Sequence, residues 1–152
     1  MSRGSWKTIT KYLVIGVLFL DQLTKYLVSS RLTLGESIPI IKNIFHLTYI
    51  VNSGAAFGIF KNQIIFFIVT AIVAISFILI NLRHRKPKLI EVALYLILAG
   101  AISNLIDRLR VGAVIDFLDF RIWPVFNIAD SAITIGAILL AYSILFKKTR
   151  SS

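Results

Sequence analysis

The stretch of sequence that decides the fold class is residues 63–82, QIIFFIVTAIVAISFILINL, which contains no charged side chain. A helix that crosses the hydrocarbon core of a bilayer needs about 20 mostly apolar residues. Three further stretches meet this requirement and are also expected to span the membrane: residues 9–28, 89–106 and 127–146. The sequence therefore predicts a mostly α-helical membrane protein built as a bundle of four transmembrane helices.

The overall composition excludes a soluble protein. Of the 152 residues, 57% are apolar and only 16% are charged, whereas soluble domains average about 25% charged residues. A soluble core of this length could not bury so much apolar surface, so the net charge of +10 does not indicate nucleic-acid binding. The absence of cysteine excludes a disulfide scaffold and thiol chemistry. The length suits one integral membrane domain over residues 1–152.

The positive charges predict the orientation in the membrane. Residues 1–11, 83–88 and 147–152 together carry ten Lys or Arg residues and no Asp or Glu. Short loops rich in Lys and Arg face the cytoplasm, so both termini are expected to be cytoplasmic. No small-residue cleavage site follows the apolar run of the first span, which is therefore expected to be retained rather than removed as a signal peptide.

The segment 32–60, between the first two spans, is rich in β-branched and aromatic residues and contains the turn residues Gly35, Pro39 and Gly54. This pattern predicts a small β-sheet that lies on the extracytoplasmic membrane surface. The connection between the third and fourth spans is expected to be a loop.

The acidic residues are few and unevenly placed. Only seven exist, and five of them fall near the predicted extracytoplasmic boundary: Asp21, Asp107, Asp116, Asp119 and Asp130. An ionisable group inside or at the end of a span is costly and usually marks a functional site. The sequence therefore predicts a polar site at the extracytoplasmic ends of the helices.

Two of these residues, Asp116 and Asp130, are separated by a short return of 13 residues. Such a return can bring two carboxylates face to face, where they must share a proton because both cannot ionise at short range. One can then act as a base toward water while the other donates to a carbonyl oxygen, which is peptide hydrolysis without a covalent intermediate. Spacing alone leaves Asp107 and Asp119 as equally acceptable partners.

The sequence offers few residues for other kinds of catalytic chemistry. The sequence has no His-Glu-x-x-His zinc motif, and its two histidines, His46 and His84, are predicted on opposite sides of the membrane. No metal site is therefore expected. Lys25 follows Asp21 by four residues on the first helix, which favours a buried ion pair, or the floor of the site, over a nucleophile activator.

Five short motifs occur in order along the chain: DQLTK at 21–25, NSGAAFG at 52–58, NLIDR at 104–108, VIDF at 114–117 and FNIADS at 126–131. Together they resemble the motifs of the bacterial type II signal peptidases, also called lipoprotein signal peptidases. The resemblance covers nearly the whole chain, including its length and its four spans. It implies a four-helix membrane peptidase with a small extracytoplasmic β-sheet cradle between helices 1 and 2.

The resemblance also implies an activity and a set of site residues. Asp116 and Asp130 are implied as the catalytic aspartyl dyad. The implied substrate-binding residues are Asn52, Asn104, Arg108, Asn127, Asp21 and Lys25. The implied substrate is a diacylglyceryl-modified prolipoprotein in the bacterial inner membrane, cut on the N-terminal side of its lipidated cysteine. Membrane lipid is the other expected partner, no nucleic acid, metal or organic cofactor is expected, and the enzyme is expected to be monomeric.

The chain departs from the family pattern at two places. The run Gly-Gly-x-x-Gly-Asn reads AGAISN at residues 99–104, so that Ala99 and Ser103 replace glycines, and the loop between Asp116 and Asp130 is short. Two other functions are compatible with four spans: a small transporter with a polar path, or a non-catalytic assembly subunit. Clustering of the polar residues at one membrane face disfavours the transporter, because a proton path needs titratable groups at several depths.

Overall fold

The computed structural model describes residues 3–54 and 63–147. Four helices lie in this part of the chain, and each contains a stretch long and apolar enough to cross a membrane. Their bounds are Arg3–Arg31 for α1, Ile64–Arg83 for α2, Lys88–Val111 for α3 and Ile128–Lys147 for α4. The predicted four-helix architecture is therefore confirmed. The second half of the motif at 52–58 lies outside the described residues.

Helix α3 is longer than predicted and carries site residues on its last turns. The third span was predicted to end at about residue 106. The helix instead continues to Val111 and is capped by Gly112, which has φ +77°. The Gly112 N–H donates to the carbonyl of Arg108 at 3.2 Å, which closes the last turn. Asp107 and Arg108 consequently project from a rigid helix and not from a loop.

A three-stranded antiparallel sheet lies at the end of the bundle where α1 and α3 end and α4 begins. Its strands are β1 (Ser37–Ile41), β2 (Phe45–Asn52) and β3 (Val114–Asp119), in that order. The first two come from the segment that was predicted to form a sheet. The third comes from the connection between α3 and α4, which was expected to be a loop only.

Strand β3 forms because its apolar side chains can pack against both α1 and α3. Val114, Ile115 and Phe117 are all buried, and Phe117 joins Val28 of α1 and Leu32, which directly follows α1, in one apolar cluster. Pairing with β2 aligns Asp116 with Ile50 in register. Asp116 is therefore fixed on a paired strand that is itself packed on α1.

Helix α3 is central to the bundle and packs against the other three helices. Its contact with α4 is close because two glycines face the neighbouring backbone. A methyl group on Gly136 would lie 2.7 Å from the carbonyl oxygen of Ala93, and one on Gly100 would meet the carbonyl oxygen of Ala129. Small residues at a membrane helix interface allow such an approach. This contact brings the start of α4 against the polar end of α3.

Gly100→Ala is expected to lower the free energy of unfolding by about 1–3 kcal/mol, the usual cost of overpacking a filled interior. The added methyl would overlap the Ala129 carbonyl oxygen and lie 2.7 Å from Cγ1 of Ile133. Gly16→Ala on α1 is the matched control, because a Cβ atom there meets nothing within 4 Å. Thermal unfolding in detergent should separate the two variants. Equal midpoints would contradict the close α3–α4 contact.

Candidate active site

Asp116 and Asp130 line the same cavity, which has a volume of about 280 Å³. Asp116 comes from β3, and Asp130 comes from the first turn of α4. Three of the predicted polar residues also line this cavity: Asn52, Asn104 and Arg108. The structure thus brings two carboxylates, two amides and one guanidinium to a single opening at the sheet end of the bundle.

Asn127 connects the two carboxylates through the cap of helix α4. Its side-chain Oδ1 accepts the backbone N–H of Asp130 at 2.8 Å, while Oδ2 of Asp130 accepts the backbone N–H of Asn127 at 3.3 Å. This reciprocal pair is a capping box built from Asn and Asp. The Nδ2 atom of Asn127 donates to Oδ1 of Asp116 at 2.7 Å. Asn127 is fully buried, so it orients the carboxylates from behind the cavity.

Two further amides hold the outer oxygens of the carboxylates. Asn52 Nδ2 donates to Oδ2 of Asp116 at 3.0 Å, and its own Oδ1 accepts the N–H of Gly54 at 3.0 Å. Asn104 Nδ2 donates to Oδ1 of Asp130 at 2.7 Å. Every carboxylate oxygen of Asp116 and Asp130 therefore accepts a hydrogen bond from an amide, which fixes the rotation of both groups.

The surroundings shift the pKa values of Asp116 and Asp119 in opposite directions. Burial and the negative charge of Asp130 raise the pKa of Asp116 to about 7, against the opposing effects of Asn52, Asn127 and Lys25. Burial also acts to raise the pKa of Asp119, but hydrogen bonds from Thr48 and Arg121 outweigh it and lower that pKa. With a pKa of about 7, Asp116 is about half protonated at neutral pH, whereas the lowered pKa keeps Asp119 ionised.

Asp107 and Asp119, which the spacing left as possible partners of Asp116, lie outside the cavity that Asp116 lines. Asp119 accepts from Thr48 Oγ1 at 2.7 Å and lies 3.0 Å from the guanidinium of Arg121. Asp107 lies 2.7 Å from the ammonium of Lys25. Neither of these acids lines the cavity. Of the three possible partners for Asp116, only Asp130 shares its cavity.

Arg108 lines the cavity without joining an ion pair to any carboxylate of the described residues. Its Nη1 donates to the backbone carbonyl of Asn104 at 3.4 Å, and its guanidinium carbon lies 5.2 Å from the centroid of the Phe67 ring. A guanidinium held in this way can offer its remaining donors to an oxygen in the cavity.

Asp21 and Lys25 do not line the cavity. Their side chains are 0% and 2% exposed, and they lie 2.7 Å apart. The predicted buried ion pair is present, and Asp107 is a second partner of Lys25 that the sequence did not assign. Neither residue lines the cavity, and their place among the substrate-binding residues stays a prediction.

Sequence reasoning also missed Gln22 and Ser103. Gln22 Nε2 donates to Oδ1 of Asp107 at 2.9 Å and to Oγ of Ser103 at 3.0 Å. Ser103 in turn donates to Oδ2 of Asp21 at 2.7 Å. Ser103 is one of the two departures from the family pattern, and that departure was the available signal.

A second, apolar cavity of about 570 Å³ adjoins the first and shares Trp123, Phe126, Asp130 and Thr134 with it. The remainder of its lining includes Phe120, Ile122 and Ile135. An apolar cleft therefore leads to one of the two carboxylates.

The described residues contain no cluster of side chains suited to hold a metal ion. Within residues 3–54 and 63–147, no three His, Asp or Glu side chains are placed to hold a metal together. His46 lies in β2, and its Nδ1 shares a hydrogen bond of 3.0 Å with the hydroxyl of Ser37.

The protein family described as "Signal peptidase (SPase) II" matches residues 13–146 of this chain. A lipoprotein signal peptidase of Halothermothrix orenii is 53% identical over 84% of this chain and 88% of its own length. One of Caldanaerobacter subterraneus subsp. tengcongensis is 50% identical over 89% of this chain and 94% of its own. A solved bacterial membrane enzyme, determined in meso at 2.3 Å resolution, has a TM-score of 0.91 at 32% identity, covering 95% of this chain and 92% of that one.

Proposed function

Because this chain belongs to the signal peptidase II family, we propose that it removes the signal peptides of diacylglyceryl-modified prolipoproteins in the bacterial inner membrane. The scissile bond is the one on the N-terminal side of the lipidated cysteine. The observation that carries the proposal is the pair of carboxylates, Asp116 and Asp130, in one cavity at the sheet end of the bundle. The family match leaves the transporter and the assembly subunit without support.

The two adjoining cavities suit a substrate that arrives sideways from the bilayer. The apolar cavity offers Phe120, Ile122 and Ile135 to acyl chains or to an apolar signal helix. The polar cavity offers the carboxylates and the donors of Asn52 and Arg108 to the peptide backbone. With the positive loops in the cytoplasm, this end of the bundle faces the extracytoplasmic side, where water is available.

The reaction uses one proton shared by the two carboxylates. We place this proton on Asp116, whose pKa is raised to about 7 by burial and by the charge of Asp130, and assign Asp130 as the base. Asp130 removes a proton from water as the oxygen attacks the scissile carbonyl carbon, and Asp116 gives its proton to the carbonyl oxygen. The resulting gem-diol then returns one proton to Asp116, Asp130 donates its proton to the leaving nitrogen, and the C–N bond breaks.

Arg108 and the amides assist this chemistry without exchanging protons. The guanidinium of Arg108 lines the cavity and can hold a backbone carbonyl of the substrate in the orientation needed for attack. Asn52, Asn104 and Asn127 each donate to a carboxylate oxygen, which keeps both acids aimed at the same point. All these residues come from one chain, so the enzyme is proposed to act as a monomer.

A matched pair of precursor peptides tests the function. The purified protein in detergent is expected to cut a peptide whose cysteine carries the diacylglyceryl group at least about 100-fold faster than the same peptide without it. Binding energy from the acyl chains, far from the scissile bond, would account for the difference. Product mass identifies the bond that is cut. Equal cleavage of both peptides, or cleavage elsewhere, would contradict the proposed substrate class.

A further inference from the structure

A buried ion triad lies beneath the polar cavity and is not used by the chemistry above. The ammonium of Lys25 lies 2.7 Å from Oδ2 of Asp21 and 2.7 Å from Oδ2 of Asp107, and it donates to Oδ1 of Asn104 at 3.0 Å. These three acceptors match the three N–H donors of an ammonium group. The triad joins α1 to α3 at the level of the carboxylate dyad.

Each carboxylate of the triad also reaches forward to the backbone beside one dyad residue. Oδ1 of Asp21 accepts the N–H of Ala129 at 2.7 Å, and Ala129 immediately precedes Asp130. Oδ2 of Asp107 accepts the N–H of Ile115 at 3.2 Å, and Ile115 immediately precedes Asp116. The start of α4 and the start of β3 are thus each tied to one of the two acids that flank Lys25.

We propose that Asp21, Lys25 and Asp107 are positioning residues that set the separation of Asp116 and Asp130, an inference that rests on the proposed function. Lys25 fixes the two acids relative to each other, and each acid fixes the strand or helix that carries one member of the dyad. Misplacement of reacting groups by about 1 Å can cost about 100-fold in rate. Ties of this kind therefore act on the catalytic step rather than on substrate affinity.

Ser103 strengthens this arrangement in the present chain. Its hydroxyl donates to Oδ2 of Asp21 at 2.7 Å and accepts from Gln22 at 3.0 Å, and its side chain is fully buried. The resemblance to the signal peptidases places glycine at this position, which could make neither bond. The serine thus adds a neutral anchor to the acid that holds the start of α4.

The separation of the dyad has a readout independent of turnover. The repulsion between two charges falls as their distance grows, so moving Asp130 away lowers the pKa of Asp116. Among the described residues, the other charged groups near Asp116 are Lys25 from α1, Arg108 from α3, and Asp107 from α3, which accepts the N–H of the adjacent Ile115. Replacing Ser103 changes none of these charges.

The test compares Ser103→Ala with Ser143→Ala in the full chain. Ser143 is also buried and lies on the same helix as Asp130, but about 20 Å along the helix axis from it. Ser103→Ala is expected to lower kcat about three- to tenfold with KM unchanged. Infrared titration of the carboxyl band of Asp116, assigned with Asp116→Asn, should move from about pH 7 to lower pH. Ser143→Ala should leave kcat and the titration unchanged.

A purely structural role for Ser103 would give a different pattern. It would lower the unfolding temperature of Ser103→Ala and leave the titration of Asp116 where it is. Wild-type kcat and an unshifted titration in Ser103→Ala would overturn the positioning role. If the wild-type protein failed to cut the lipidated precursor, the proposed function would fall, while the titration would still decide the role of the triad.

Discussion

Asp116→Asn and Asp130→Asn are each expected to reduce kcat for the lipidated precursor by about 10⁴-fold, the upper range for loss of a general acid or base. Asparagine keeps the size of the side chain and one acceptor oxygen, but it cannot carry the proton that the pair must exchange with water and the peptide. The neighbouring acids Asp107 and Asp119 do not line the cavity, so neither can replace the missing carboxylate.

Asp119→Asn is the matched control for both variants. It makes the same chemical change on the same strand as Asp116, but Asp119 is bonded to Thr48 and Arg121 and does not line the cavity. Its kcat should stay within about threefold of the wild-type value, because the group touches neither the reacting atoms nor the residues that hold them. Quantifying precursor and product by mass spectrometry measures all three rates. Substantial activity in either dyad variant, or equal loss in all three, would contradict the assignment.

Lys25→Met is expected to destabilise the folded protein by about 3–5 kcal/mol, because it leaves two buried carboxylates without their cation. That cost is a large part of a typical unfolding free energy of about 5–15 kcal/mol. Asp21 and Asp107 each lie 2.7 Å from the lysine, so they would face each other as like charges. The variant should therefore unfold at a much lower temperature in detergent.

Two further variants make this prediction specific. Lys42→Met removes an exposed lysine in the turn between β1 and β2, and its unfolding temperature should match that of the wild type. Adding Asp107→Asn to Lys25→Met should recover part of the lost stability, because one of the uncompensated charges is removed. Equal unfolding temperatures for Lys25→Met and Lys42→Met would show that the triad does not stabilise the fold.

The membrane spans and the polar end of the bundle were predictable because they depend on local composition. Twenty apolar residues must cross a bilayer regardless of their partners, and five scarce acids at one level mark a site. Strand β3 was not predictable in the same way. Its pairing joins Asn52 to Val114, residues far apart in sequence, and no local pattern distinguishes such a strand from an apolar loop.

Which polar residues of α3 face α1 and which face the cavity could not be predicted either. Ser103 and Asp107 lie on one face and bond to α1 without lining the cavity, whereas Asn104 and Arg108 lie about 100° further round and line it. Asn104 also accepts a hydrogen bond from Lys25 of α1. All four are polar and close in sequence, so their types do not tell which face meets the neighbouring helix. That depends on the rotation of α3, which the close contact of Gly100 with α4 fixes.

The tie between Asp21 and Ala129 spans 108 positions of the chain. The first helix enters the membrane during synthesis with Asp21 and Lys25 four residues apart, so that each can neutralise the other at once. Asp107 becomes available only when the third helix is made, and the backbone of Ala129 only when the fourth begins. Under the proposed mechanism, a nascent chain that has inserted only three helices lacks Asp130 and would be proteolytically inert, so hydrolytic competence would arise only as biosynthesis finishes.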